Sequence, residues 1–233
     1  MNRSDDLLAH LDRIQRQIEA ASLNAGRNKD SCRLLPVSKT KPASDLKILY
    51  DAGIRAFGEN YVQEAIEKIS TLGHQDIEWH YIGHIQSNKT RILAEAFDWI
   101  HTVDRLKIAS RLNEARTGEP LNILVQVNVD QSASKSGVSL DALDALVEAI
   151  DPLPNLSLRG LMSIPDPTDS DHLKAAHDRL HDAFTHLQTA VSEPAKFDTL
   201  SMGMTNDLEL AIASGSTMVR IGTALFGKRL PKE

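Results

Sequence analysis

The sequence predicts an α/β fold in which eight parallel strands close as a (β/α)8 barrel, and three observations carry that expectation. Short apolar runs of β character alternate with amphipathic helical stretches, roughly eight times along the chain. The length, 233 residues, suits one barrel, so 1–233 reads as a single domain. Polar residues or glycine stand where nearly every run ends, the place at which barrels carry their sites. The alternation alone would also allow an open doubly wound sheet; a strand number that reaches eight, and a wrap that leaves no sheet edge, favour the barrel.

Each element has a local reason. Leu7, Leu11, Ile14, Ile18 and Ala21 recur at helical spacing, with Ser4 as N-cap and Gly26 as stop, which predicts an extra N-terminal helix. Leu34-Leu35-Pro36-Val37 is the first strand, ending abruptly on Ser38 and Lys39. Pro42 opens a short helix through Leu46, Leu49 and Tyr50 to Gly53. Strands are then expected at 54–58, 77–82, 99–103, 121–129, 156–162, 197–200 and 217–221. Helices are expected at 61–72, 87–96, 106–116, 140–150, 172–191 and 208–213. A Ser/Gly-rich turn covers 132–137, and Pro152 and Pro154 release the strand at 156.

Composition narrows the function classes. Hydrophobic residues at 41% and charged residues at 25% are those of a soluble globular protein. A net charge of -6 and aromatic residues at 4% argue against a nucleic-acid surface. Cys32 has no second cysteine to pair with, which fits a reducing cytoplasm, and it reads as a small, partly buried strand residue. The first residues lack the pattern of a secretory signal, and no apolar run reaches membrane-spanning length, so no membrane partner is expected.

The strand ends carry the chemistry. In order they deliver Lys39; Glu59 and Asn60; Gly83 and His84; Thr102 and Asp104; Asn128; Ser163; Ser201 with Gly203; and Arg220 with Gly222 and Thr223. Lysine is depleted in strands and seldom buried, so Lys39 at the end of the first strand points into a mouth or cleft. Two stretches sharpen the list. Ser201-Met202-Gly203-Met204-Thr205-Asn206-Asp207 is a strand-to-helix turn in which a serine and a flexible glycine precede a helix start, a place suited to an anion. In Arg220-Ile221-Gly222-Thr223 an arginine within the last strand is followed by a glycine that lets a ligand approach the backbone. Loops after the seventh and eighth strands form the recurrent phosphate site of barrels. A phosphate cup facing a strand-end lysine suggests a phosphorylated aldehyde held as an imine, and pyridoxal 5'-phosphate (PLP) fits. The amine reacts only when neutral, which asks for desolvation or cations such as Arg220 near Lys39. An arginine facing the pyridine nitrogen would leave a weak electron sink, poorly suited to carbanion chemistry.

The segments Val37-Ser38-Lys39-Thr40-Lys41-Pro42, Phe57-Gly58-Glu59-Asn60-Tyr61-Val62-Gln63-Glu64, Trp79-His80-Tyr81-Ile82-Gly83-His84-Ile85-Gln86-Ser87-Asn88-Lys89, Arg159-Gly160-Leu161-Met162, Ser201-Met202-Gly203-Met204 and Arg220-Ile221-Gly222-Thr223-Ala224-Leu225-Phe226-Gly227 together resemble the pyridoxal phosphate homeostasis protein family, whose fold is similar to the barrel domain of alanine racemase. The resemblance implies that Lys39 carries PLP as a Schiff base, that Ser201, Gly222 and Thr223 hold the phosphate, that Arg220 faces the pyridine nitrogen, and that Asn60 lies near the ring. Thr205 stands where the family often has serine, which keeps the hydroxyl. The chain ends a few residues after Gly227, without the second domain that completes the racemase site, so the implied role is a cytoplasmic, monomeric PLP carrier or reservoir supplying apo-enzymes. A PLP-dependent amino-acid racemase is the alternative.

Other signals carry less weight. Gly222 to Arg229 imitates a P-loop, but Arg229 replaces the Ser/Thr that would hold magnesium and no helix is expected to follow. Ser132-Ala133-Ser134-Lys135 fits the S-x-x-K pattern without its K-T-G partner. His177, His181 and His186 share one polar helix and read as solvated rather than as metal ligands. His80 and His84 read as packing or supporting groups, and Glu59 as the partner of a lysine ahead of a general base.

Overall fold

The strands pair in parallel into one sheet. In the computed structural model, which describes residues 2–132 and 135–227, the strands are β1 (Arg33–Pro36), β2 (Ala56–Glu59), β3 (Glu78–Tyr81), β4 (Trp99–Val103), β5 (Leu121–Gln126), β6 (Leu156–Met162), β7 (Thr199–Ser201) and β8 (Met218–Ile221). The helices between and around them are α1 (Arg3–Asn24), α2 (Ala43–Asp51), α3 (Val62–Leu72), α4 (Thr90–Ala96), α5 (Leu106–Ala115), α6 (Leu140–Ile150), α7 (Ser170–Gln188), α8 (Leu208–Ala213) and α9 (Thr223–Phe226). The sheet runs β1-β8-β7-β6-β5-β4-β3-β2. Its two outer strands meet through a single bridge, Val37 with Gly58, and the Ser38 N–H donates to Gly58 O at 2.9 Å. The sheet thus closes as the expected (β/α)8 barrel, with a seam between β1 and β2.

The main core lies between the strands and the surrounding helices, as side-chain alternation requires. α1 adds Leu7, Leu11, Ile14, Ile18 and Ala21 to it, the set its spacing predicts. Each fully buried leucine there contributes about 1.5–3 kcal/mol. Leu35, Val37, Ile82 and Met218 form one separate apolar cluster and Trp99, Leu124 and Met162 another.

Several boundaries differ from the sequence reading, each for a local reason. Asn2, not Ser4, caps α1: its side chain accepts from the Asp5 N–H while Asp5 returns a bond to the Asn2 N–H. The helix expected at 87–96 begins as a 3-10 turn, Ser87–Lys89, before α4. β5 stops at Gln126, because Val127 bridges Val138 in the following turn. A helix does follow β8. α9 is only four residues long, and its carbonyls are held from outside it: Arg13 donates to Ala224 O, His10 lies 2.9 Å from Leu225 O through Nδ1, Arg3 donates to Phe226 O, and Lys41 to Gly227 O. Cationic side chains at helix carbonyls are favoured by both hydrogen bonding and the helix dipole. Lys228 and Arg229 of the P-loop imitation, and Ala133 and Ser134 of the S-x-x-K match, lie outside the described residues.

Candidate functional site

A cavity of about 350 Å³ opens among the C-terminal ends of the strands. Lys39 enters it after β1, Asn60 after β2, and Arg220, Gly222 and Thr223 from β8 and its exit. Val37, Ile82, Ile164 and Met204 supply apolar wall, and Thr205 and Asp207 a polar one. The sequence-predicted residues Lys39, Asn60, Arg220, Gly222 and Thr223 are therefore brought together. Ser201 and Gly203 are not on the wall; they stand behind it.

Leu35 and Val37 share the inner face of the barrel, Ser38 takes the other, and Lys39, in the turn just past β1, lines the cavity. Outside the barrel, the Ser38 hydroxyl donates to Glu59 Oε1 at 2.6 Å. Lys68, reaching across from α3, donates to Ser38 O at 2.7 Å and to Glu59 Oε1 and Glu64 Oε1 at 2.6 Å each. Glu64 also accepts the Thr40 N–H at 2.5 Å, and Thr40 lies in the left-handed region at φ 64°. Glu59 is wholly buried and Lys68 is 5% exposed. Burial raises the Glu59 carboxyl, against the opposing pull of Lys68 and Ser38. Glu59 is thus the partner of a lysine, as its sequence position suggested.

Arg220 is buried and makes its bonds to neutral oxygens. Nη1 donates to Ser201 O at 2.7 Å and Ser201 Oγ at 2.8 Å, and Nη2 to Ser163 O at 2.8 Å. Burial lowers its pKa to about 10, with Asp207 pulling the other way, so it stays charged at neutral pH. The Ser201 hydroxyl is committed to this interior: it lies 3.2 Å from His101 Nδ1, and His101 Nε2 lies 2.9 Å from His80 Nδ1. Burial holds His80 down at about 3, and burial and neighbouring charge hold His101 well below its ordinary value. Both rings are neutral links in the chain. His80 is therefore an interior group, whereas His84 is exposed at the surface, its carbonyl accepting the Tyr81 hydroxyl at 3.0 Å.

The turn after β7 is shaped by two contacts. Gly203 has φ 92°, and a Cβ there would lie 2.5 Å from Ala211 Cβ, so glycine lets the turn lie on α8. Asp207 Oδ1 accepts the Met204 N–H at 2.8 Å and Oδ2 lies 2.9 Å from His177 Nε2. Burial pushes the Asp207 carboxyl up, but the bonds from His177 and Met204 outweigh it and hold it below the usual range. His177 is thus fully buried, which corrects the expectation of three solvated histidines; His181 and His186 are exposed. Asn60 is set by a close approach, since a Cβ on Gly83 would lie 2.2 Å from Asn60 O.

Lys68 and His101 escaped the sequence reading, Glu64 and Asp207 stood in quoted segments without a role, and His177 was read as solvated. Lys68 had a legible signal, three residues after buried Ala65 on an otherwise apolar helix face. Cys32, expected to be partly buried, is 6% exposed, and burial raises its thiol to about 11. Lys135 is held by Asp130 at 3.0 Å and Asp166 at 2.9 Å. Among the described residues, no helix is long and apolar enough to cross a membrane.

Residues 9–230 match the family model described as alanine racemase, N-terminal domain. The pyridoxal phosphate homeostasis protein of Escherichia coli (strain K12) is 50% identical over 232 residues, covering 97% of each chain. The structure of PipY of Synechococcus elongatus with PLP bound is 35% identical with a TM-score of 0.78, covering 90% of this chain and 98% of that one. Alanine racemase of Clostridium difficile, 15% identical with a TM-score of 0.74, covers 98% of this chain and 58% of its own, a likeness of fold alone. The chain belongs to the pyridoxal phosphate homeostasis proteins, a family built on the alanine racemase N-terminal domain.

Proposed function

We propose that this protein binds PLP in the strand-end cavity, attached to Lys39 as a reversible Schiff base, and serves PLP homeostasis as a carrier or reservoir rather than as a catalyst. The observation that carries the reading is the meeting, in one cavity, of the Lys39 amine with Arg220, Gly222 and Thr223. The residues suit the ligand. The cavity is within the order of 300–1,000 Å³ typical of small-molecule sites. Asn60 Oδ1 and Ser163 Oγ are buried polar atoms without hydrogen-bond partners, and Arg220 is a buried cation bonded to neutral acceptors. The PLP-bound relative supports the same assignment.

PLP brings an aldehyde that condenses with a neutral amine and is released by hydrolysis or exchange. Lys39 supplies the amine. Gly222 and Thr223, at the first turn of α9, hold the phosphate through backbone N–H groups and the threonine hydroxyl, with Gly203 shaping the turn opposite. Ser201 acts from behind, fixing the guanidinium of Arg220, which would face the ring nitrogen, and Asn60 would stand beside the ring. Because Arg220 stays protonated at neutral pH, it would discourage protonation of that nitrogen and so weaken PLP as an electron sink. The protein works in the cytoplasm as a monomer and hands PLP to apo-enzymes.

The test is the absorbance spectrum of purified protein with added PLP, run beside Lys39→Ala. A visible band in the wild type that is absent from the variant, together with no interconversion of L- and D-alanine by the loaded protein, is the expected result. No band in either protein would sink the PLP reading; a band with racemisation would make it an enzyme.

A further inference from the structure

We infer that Glu59, Lys68 and Glu64 form a positioning device for Lys39, fixing the backbone on both sides of the reactive lysine so that its amine meets the ligand's carbonyl carbon. The inference rests on the assignment of Lys39 as the attachment point.

The seam of the barrel lies at this lysine. β1 and β2 meet only by the Val37–Gly58 bridge and the Ser38 N–H bond to Gly58 O, so the regular ladder does little to hold the chain beyond Val37. The next residue but one after the bridge is Lys39. Besides one turn bond, from the Lys41 N–H to Ser38 O at 3.0 Å, what holds it is side-chain chemistry. Ser38 is pinned twice, through its hydroxyl to Glu59 and its carbonyl to Lys68. On the far side, Thr40 is pinned through its N–H to Glu64, in a left-handed conformation that a threonine adopts only when its surroundings impose it. One ammonium, Lys68 Nζ, bridges both carboxylates and so ties the two flanks together. Ser38 is thus anchored outside the barrel, while Lys39 lines the cavity.

The arrangement is unusual for one that only adds stability. A buried charged pair seldom outperforms well-packed apolar side chains of the same volume, so its retention at this place asks for another role. Here each acceptor or donor it engages belongs to the two neighbours of one residue. None of Glu59, Lys68 and Glu64 lines the cavity. They act through Ser38 and Thr40, and are positioning rather than catalytic residues.

A positioning role separates covalent attachment from noncovalent binding, which gives the test. Glu59→Gln, Lys68→Met and Glu64→Gln are compared with wild type in two measurements. The first is the rate at which added PLP becomes fixed to Lys39, trapped by borohydride and read by mass spectrometry of the peptide. The second is the dissociation constant of pyridoxine 5'-phosphate, which has the ring and the phosphate but no aldehyde. Expected are trapping rates lowered by about tenfold or more, the worth of one charge-assisted hydrogen bond, with analogue affinity within about twofold of wild type. Trapping at the wild-type rate in the variants overturns the inference. So does a parallel fall in analogue affinity, which would mean that the triad merely keeps the mouth folded. If Lys68→Met does not fold, Glu64→Gln, which alters a partly exposed carboxylate, carries the same two outcomes. No trapping at Lys39 in the wild type would instead refute the PLP assignment on which the inference stands, with the variants not reached.

Discussion

His80 illustrates how a single side chain can report on the interior of this barrel. It was legible in the sequence as a strand histidine near a site, but not as the end of a chain running through His101 and Ser201 to Arg220. The reason is physical: which strands face one another across a barrel, and hence which side chains meet at 2.9 Å, depends on register and tilt that local pattern does not encode. The same limit applies to Ser201, whose position at a strand end was right while its hydroxyl turned inward. Burial gives a consequence that can be measured. Unfolded, His80 titrates near 6.5; folded, it is held to about 3. Above pH 6.5 neither state takes a proton and nothing is lost. As pH falls from 6.5 towards 3, the unfolded chain binds a proton that the folded one refuses, so this histidine alone removes about 1.4 kcal/mol of stability per pH unit. Denaturant unfolding between about pH 6.5 and 5 should show that decline, and His80→Gln should lessen it, His101 supplying a second contribution of the same sign. A wild-type stability that stays level across the interval would contradict a neutral, buried His80.

At the scale of elements, the helix and strand runs were largely readable because each had a strong period and a stop. α6, β4, β6 and α8 match their expected bounds. α9 did not announce itself, being four residues long, too short to show an i, i+4, i+7 pattern, and opening on Gly222 just past β8. Lys68 on α3 shows the other kind of miss. A lysine at a buried helix position is read as solvated until the opposing strand is known to bring a carboxylate to it. Its energetic role is open to a double-mutant cycle. Lys68→Met leaves Glu59 buried without its cation and is expected to cost roughly 3–5 kcal/mol, the range for breaking one side of a buried pair. Adding Glu59→Gln removes the orphaned carboxylate, so the double variant should be more stable than the sum of the single losses predicts. Strict additivity in urea unfolding would mean that the two side chains do not interact energetically.

At the scale of the whole molecule, eight strands, their parallel pairing and the location of the site at their C-terminal ends followed from alternation and from polar strand ends. Closure as a barrel was expected too, but not that β1 and β2 would meet through one isolated bridge, because that depends on contacts between residues far apart in the chain. The proposed ligand joins groups from β1, β2 and β8 across that seam, so it should stabilise the whole fold. With PLP at a hundredfold excess over its dissociation constant, about 2.7 kcal/mol of stabilisation is expected, or a rise of roughly 5–10 °C in Tm for a chain of this size. Lys39→Ala should show a smaller rise; an equal one would place the binding energy outside the covalent link. The hold of α1 on α9 has a consequence for how this protein can vary. Arg3, His10, Arg13 and Lys41 meet main-chain carbonyls, which every amino acid supplies. Among homologous sequences the groups on the first helix, together with Lys41, therefore carry the constraint, while side chains at 224–226 drift as far as their own packing allows, and the two ends of the gene need not change in step.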